Sequence, residues 1–213
     1  MSKIQRIARL ARLLAALLAG GFLVIVLTFT NVPVVKAHIV PSPCDFTTGG
    51  GFVITDQGNH ANFGLVGGCK NGGFFGHFNF KDHDTTNTVN PTTMCCAGLH
   101  VNGPVSAYFE PFAGSNVRDL CGTADTNNPN FPTVKFRART EDNADPNPGG
   151  RGVDKFGLKI TAIGGNFDGE FQVVVTTRLL AGGDIELHKQ TKGPVPSADE
   201  ITACGSSDDG LGQ

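Results

Sequence analysis

Residues Thr133–Ile163, TVKFRARTEDNADPNPGGRGVDKFGLKITAI, decide the fold class. In the first arm apolar residues recur at every second position, so Val134, Phe136 and Ala138 share one face and Lys135, Arg137 and Arg139 the other. The second arm repeats the pattern through Phe156, Leu158 and Ile160. Between the arms Asp, Asn, Pro and Gly predominate, residues that bond their own backbone or preset turn angles. The stretch therefore reads as a long-looped β-hairpin.

Beyond the hairpin, no window of eleven or more residues after Gly49 carries a helical period, whereas short alternating runs recur between turn residues. Strands are expected at Gly51–Thr55, Ala61–Val66, Phe74–Lys81, Leu99–Val101, Val105–Phe109, Thr133–Glu141, Asp154–Ile163, Glu170–Leu179 and Asp184–Lys189. Asn102-Gly103 suits a type I′ turn and Gly182-Gly183 a tight reversal. Some nine successive strands without crossover helices imply an all-β fold, an antiparallel sandwich or barrel. Its core should take Phe78 and Phe80, the apolar faces of the hairpin, then Phe171, Val173, Val175, Ile185 and Leu187.

The first 37 residues differ in composition from the rest. Lys3, Arg6, Arg9 and Arg12 precede a charge-free apolar run from Leu13 to Phe29, and Val35-Lys36-Ala37 supplies small residues at −3 and −1 for cleavage before His38. Residues 1–37 thus read as a signal peptide, with an uncleaved anchor helix across residues 13–35 as the alternative. Either places residues 38–189 outside the cytoplasm, secreted, at the cell surface, or held to a membrane by that one segment. Removing the leader takes five of 17 basic residues and no acidic ones, leaving 12 against 19 and a net charge of −7. Such a domain is poorly suited to neutralising phosphates, so nucleic acid is not expected as a partner. Trp is absent and Tyr108 is the one tyrosine beside 16 Phe, which argues against sugar recognition by Trp or Tyr stacking.

Cys44, Cys69, Cys95, Cys96, Cys121 and Cys204 all lie beyond the leader, and an even number in an exported chain points to disulfides. Their fifteen possible pairings stay open. Adjacent Cys95 and Cys96 either close a ring or bond elsewhere. A metal site with His100 lacks the paired spacing of zinc ligands. Residues 190–213 read as a polar, flexible tail, with Cys204 tied back to a cysteine near an end of the fold such as Cys44.

The segments Thr48-Gly49-Gly50-Gly51, Ala61-Asn62-Phe63-Gly64, Gly76-His77-Phe78-Asn79-Phe80, Thr140-Glu141-Asp142-Asn143 and Gly152-Val153-Asp154-Lys155-Phe156 together resemble the post-COAP domain family of bacterial exported proteins. The resemblance spans about Thr48 to His188 and implies export and a β architecture without implying a reaction. Against that pattern, residues 85–130 stand out as a cysteine-bearing insert.

Three groups of residues invite chemistry. In the hairpin loop, Glu141, Asp142, Asp145 and Asp154 are candidate ligands of a calcium ion, a hard cation that takes oxygens. The simpler reading makes them turn-shaping residues with no cofactor. On the strand His77-Phe78-Asn79-Phe80-Lys81-Asp82-His83, the face bearing His77 and His83 is a candidate metal or acid–base site. Finally, Lys135, Arg137, Arg139, Lys155 and Lys159 form a basic face suited to an acidic partner, or to cross-strand pairing with Glu170 and Glu186. No G-x-S-x-G elbow, H-E-x-x-H or P-loop is present. The expectation is a non-catalytic secreted or surface module with a structural, adhesive or binding role. A secreted metal-dependent hydrolase using the His77/His83 region, and a self-assembling surface-layer or filament subunit, are the alternatives.

Overall fold

The computed structural model describes residues 38–55, 58–83, 98–143, 152–164, 167–206 and 211, without the side chains of residues 171–173. Its strands are β1 (Phe46–Ile54), β2 (His60–Lys70), β3 (Gly73–Asp82), β4 (His100–Pro104), β5 (Ala107–Phe109), β6 (Val117–Thr126), β7 (Thr133–Glu141), β8 (Lys155–Ala162), β9 (Phe171–Leu179) and β10 (Gly182–His188). All pair antiparallel in one sheet, in the order β10-β1-β2-β3-β4-β6-β7-β8-β9, with β5 on β6. The all-β antiparallel expectation holds at this level: the described residues form a single curled sheet, a half-barrel, with ten strands among them where nine were expected. Residues Ala37–Gln213 form one compact unit.

Curling brings distant strands face to face. Phe63 on β2 lies flat on Phe156 of β8 with ring centres 4.1 Å apart, and Phe78 on β3 stacks on Phe136 of β7 at 4.8 Å. The expected inward series is buried as read through Phe78, Phe80, Val134, Phe136, Ala138, Phe156, Leu158, Ile160, Val175 and Ile185. Leu187 is only half-buried. The hairpin pairs β7 with β8 in the register Phe136 to Ile160 and Ala138 to Leu158, so the two apolar faces coincide.

The strand missed by pattern is β6, which lies in mid-sheet between β4 and β7. Val117 to Gly122 are all buried. A strand covered on both sides loses the in–out alternation by which strands are recognised. Residues 100–126, within the segment read as an insert, supply β4, β5 and β6. Asn102-Gly103 is likewise no turn: both residues lie within β4, paired with Asn79 and Phe78. A Cβ on Gly103 would sit 2.4 Å from the Thr123 carbonyl oxygen, so glycine is needed there because β4 passes close against β6. Gly182-Gly183 does not close a β9–β10 ladder either, because β10 pairs with β1.

Residues 190–206 fold back on the sheet instead of trailing from it. Asn71 N donates to Lys192 O at 3.3 Å and Gly72 N to Pro194 O at 2.9 Å, which holds the segment to the β2–β3 turn. It then forms the short helix α1 (Glu200–Cys204), capped by the Asp199 carboxylate accepting from Thr202 N at 2.8 Å and closed by left-handed Gly205 at φ 85°. A disulfide joins Cys204 to Cys121 on β6, and a second joins Cys44 to Cys69. Cys204 thus pairs with Cys121 and not with Cys44. Cys95 and Cys96 lie outside the described residues.

Candidate functional site

The basic face of β7 and β8 is where structure and sequence diverge most. Arg137, Arg139 and Lys159 do point away from the apolar core, but Glu200 of α1 and Ser206 beyond it lie over Arg137 and Lys159, and the Phe112 ring lies 5.7 Å from the Arg139 guanidinium, leaving Arg137 0%, Arg139 1% and Lys159 1% exposed. Three of the five cations therefore lie in the interior and present no surface to a ligand. Their partner is Asp119 of β6, itself 0% exposed. Asp119 accepts from Arg137 at 3.0 Å and from Arg139 Nε at 2.8 Å. Arg137 also reaches Glu200 on α1 at 2.6 Å and the Ser206 carbonyl at 2.7 Å, while Lys159 Nζ lies 3.1 Å from Ser206 Oγ. Lys155 pairs with Glu141 at 3.0 Å, and Lys135 is half-buried. Glu170 and Glu186, the expected partners, are replaced by Asp119 and Glu200.

His38 completes the network. Its Nδ1 is 3.0 Å from Glu200 Oε1 and 3.5 Å from Asp119 Oδ2. Burial opposes its charge, but the hydrogen bonds to Asp119 and Glu200 prevail and push its pKa up to about 9. With the proton held on Nδ1, the 3.0 Å approach of Arg137 Nη1 is a contact between two cations clamped by carboxylates, not a hydrogen bond. Asp119 is held well below the usual carboxylate range: burial raises it, but the bonds from His38 and Arg139 outweigh burial. Glu200 is lowered in the same way, against its burial, by His38 and Arg137. A second buried ion pair lies nearby, where Arg118 grips Asp45 through Nε at 3.1 Å and Nη2 at 2.6 Å.

The loop carboxylates also have structural partners. Asp154 is 0% exposed and accepts from Asn143 N at 2.8 Å and Ile185 N at 2.9 Å. Asp142 Oδ2 accepts from Leu187 N at 2.8 Å. Ile185 and Leu187 are alternate residues of β10, so the two carboxylates satisfy amides along its open edge where a neighbouring strand would otherwise sit. Glu141 is engaged by Lys155 and by Asn143 Nδ2 at 3.0 Å. Asp145 lies outside the described residues, and among those described no group of three or more His, Cys, Asp or Glu side chains is arranged to hold a metal ion.

His77 and His83 do not converge. Six residues of extended chain separate them by roughly 20 Å; His83 lies beside His60 with ring centres 5.6 Å apart, and His77 bonds Asn102 Oδ1 at 2.7 Å. What β3 and β4 do present is an outward ladder of amides and imidazoles. Asn79 Nδ2 donates to Asn102 Oδ1 at 3.2 Å and to His100 Nε2 at 2.9 Å. One register line carries this ladder across four strands, from Gly50 to Gly64 to Asn79 to Asn102. At Gly64 a Cβ would meet nothing within 4 Å, so packing does not require glycine there, and the bare backbone lies open. Phe52 on His60, and Phe46 on His188 at 4.3 Å, flank the strip.

Comparison of the chain with protein-family models, curated proteins and solved structures finds no match. The two disulfides nonetheless point to an oxidising, extracellular environment. Among the described residues no helix is long and apolar enough to cross a membrane.

Proposed function

We propose that the protein is an exported, non-catalytic β module that binds a neutral, hydroxyl-rich polymer of the cell envelope through the outward face of β1 to β4. The observation that carries this reading is the Asn79–Asn102–His77–His100 ladder beside the open Gly50–Gly64 strip. Amides and imidazoles both donate and accept hydrogen bonds, which matches hydroxyl groups. Recognition would rest on hydrogen bonds, consistent with a chain that lacks Trp. The buried cations do not contribute, since Asp119 and Glu200 engage them. Export rests on the leader and the disulfides, and the motifs that resemble the post-COAP family fall on β1 to β3 and on the β7–β8 hairpin.

The test is co-sedimentation of residues 38–213 with insoluble envelope polysaccharide, comparing wild type with Asn79→Leu/Asn102→Leu. The reading expects wild type to pellet and the variant to lose at least tenfold in affinity with its melting temperature preserved. Equal binding by both, or none by wild type, would overturn it. Assay of the supernatant for released sugar separates binding from hydrolysis.

A further inference from the structure

The backbone nitrogen of His38 lies 3.2 Å from Glu200 Oε2, while the imidazole Nδ1 of the same residue lies 3.0 Å from Glu200 Oε1. One carboxylate therefore holds the first described residue by two nitrogens. From the next residue onward the chain is built into the fold, since Ile39 and Glu110 exchange backbone hydrogen bonds of 3.3 and 2.7 Å. Independently, Val35-Lys36-Ala37 places the leader's cleavage point before His38.

We propose that the chain is processed between Ala37 and His38 and that the α-ammonium group so created is a structural cation, paired with Glu200 Oε2 beneath α1. In that step a leader-cleaving protease adds water across the peptide bond. The Ala37 carbonyl carbon takes the water oxygen and leaves as a carboxylate, and the His38 nitrogen becomes an amine that is protonated at neutral pH. A peptide nitrogen offers Glu200 one neutral N–H. The ammonium offers three donors and a full charge at the same place, and charge-assisted bonds are about twice as strong as neutral ones. This nitrogen faces Glu200 from α1, and the charged groups linked to that carboxylate or to the His38 ring are Asp119 from β6 and Arg137 from β7, with Arg139 of β7 on Asp119 and Lys159 of β8 on Ser206. Maturation then tightens the docking of α1, which the Cys121–Cys204 disulfide already tethers.

The first measurement is the intact mass and N-terminal sequence of the full chain after secretion, expected to begin at His38. The second compares residues 38–213 with the same chain extended by Gly-Ser before His38. The extension should lower the melting temperature by roughly 2–8 °C, and Glu200→Gln should remove the difference. Titration of the α-amino group by NMR should place it above the usual range of about 7.7 to 8.0. A mature terminus elsewhere, an extended chain as stable as the processed one, or an α-amino group titrating at or below that range would each overturn the proposal. None of these readouts involves a ligand, so their failure leaves the polymer-binding reading standing, and the reverse also holds.

Discussion

Arg137 and Asp119 form a 3.0 Å ion pair in which both side chains are sealed from solvent, on the side of the sheet that strand alternation assigns to water. The cover is α1, drawn over β6 by the Cys121–Cys204 disulfide. Two charges out of water need close partners, and here Asp119 has both arginines and His38, while Arg137 bonds Asp119, Glu200 and the Ser206 carbonyl through Nη1 and Nη2 and leaves its Nε without a partner.

Removing the shared carboxylate should therefore be costly. Asp119→Ala leaves Arg137 and Arg139 buried without their common partner, and urea unfolding of residues 38–213 should show a loss of about 3–5 kcal/mol.

Stability should depend on pH on both sides of neutrality. The folded pKa of His38 is raised from 6.5 to about 9, so its contribution is complete below 6.5 and is lost as pH rises toward 9. Asp119 and Glu200 are depressed, so theirs is present above the ordinary carboxylate range and is lost as pH falls through and below it. Thermal unfolding should thus be most stable near pH 5 to 6.5, with an alkaline decline to which the His38 imidazole contributes on the order of 2 kcal/mol and which is correspondingly smaller in His38→Gln.

Much of this architecture was legible and some was not, for physical reasons. Alternation in Thr133–Glu141 identified which side chains face the apolar core, because that depends only on the two-residue period of a strand. It did not say what lies over Arg137 and Arg139. Arg137 is covered by a five-residue helix, too short to show a helical period and brought from 63 residues away in sequence, and Arg139 lies over the ring of Phe112. Asp119 escaped notice because β6 is buried on both faces. Cys121, two residues along the same strand, was the available signal. The loop carboxylates were recognisable as a group, but their partners, the Ile185 and Leu187 amides, become visible only once β10 pairs with β1.

Asp154→Ala should expose the edge of β10. The carboxylate accepts two backbone N–H groups in a dry site, and bonds to charged acceptors are worth about 1.5–3 kcal/mol each, so a loss of roughly 2–4 kcal/mol is expected on chemical denaturation. Protection of the Ile185 amide against hydrogen exchange should fall in parallel.

Breaking the clasp as Cys121→Ala/Cys204→Ala opens a loop with a sequence separation of 83 residues. The loop-entropy account expects a cost of about 4–5 kcal/mol. Exchange of the α1 amides should then rise more than that of β7.

In the core, Phe63→Ala and Phe156→Ala should each cost about 3–5 kcal/mol. Their rings touch across the curl at 4.1 Å. The double variant should therefore fall short of additivity by about 0.5–1.5 kcal/mol, read from a double-mutant cycle.

The burial of the β7 cations is tested most directly by labelling the native protein with phenylglyoxal and locating modified arginines by peptide mass. Half-buried Arg178 should react, while Arg118, Arg137 and Arg139 stay protected until the protein is unfolded. Native labelling of Arg137 and Arg139 at the rate of Arg178 would contradict the account and return these residues to an open basic surface.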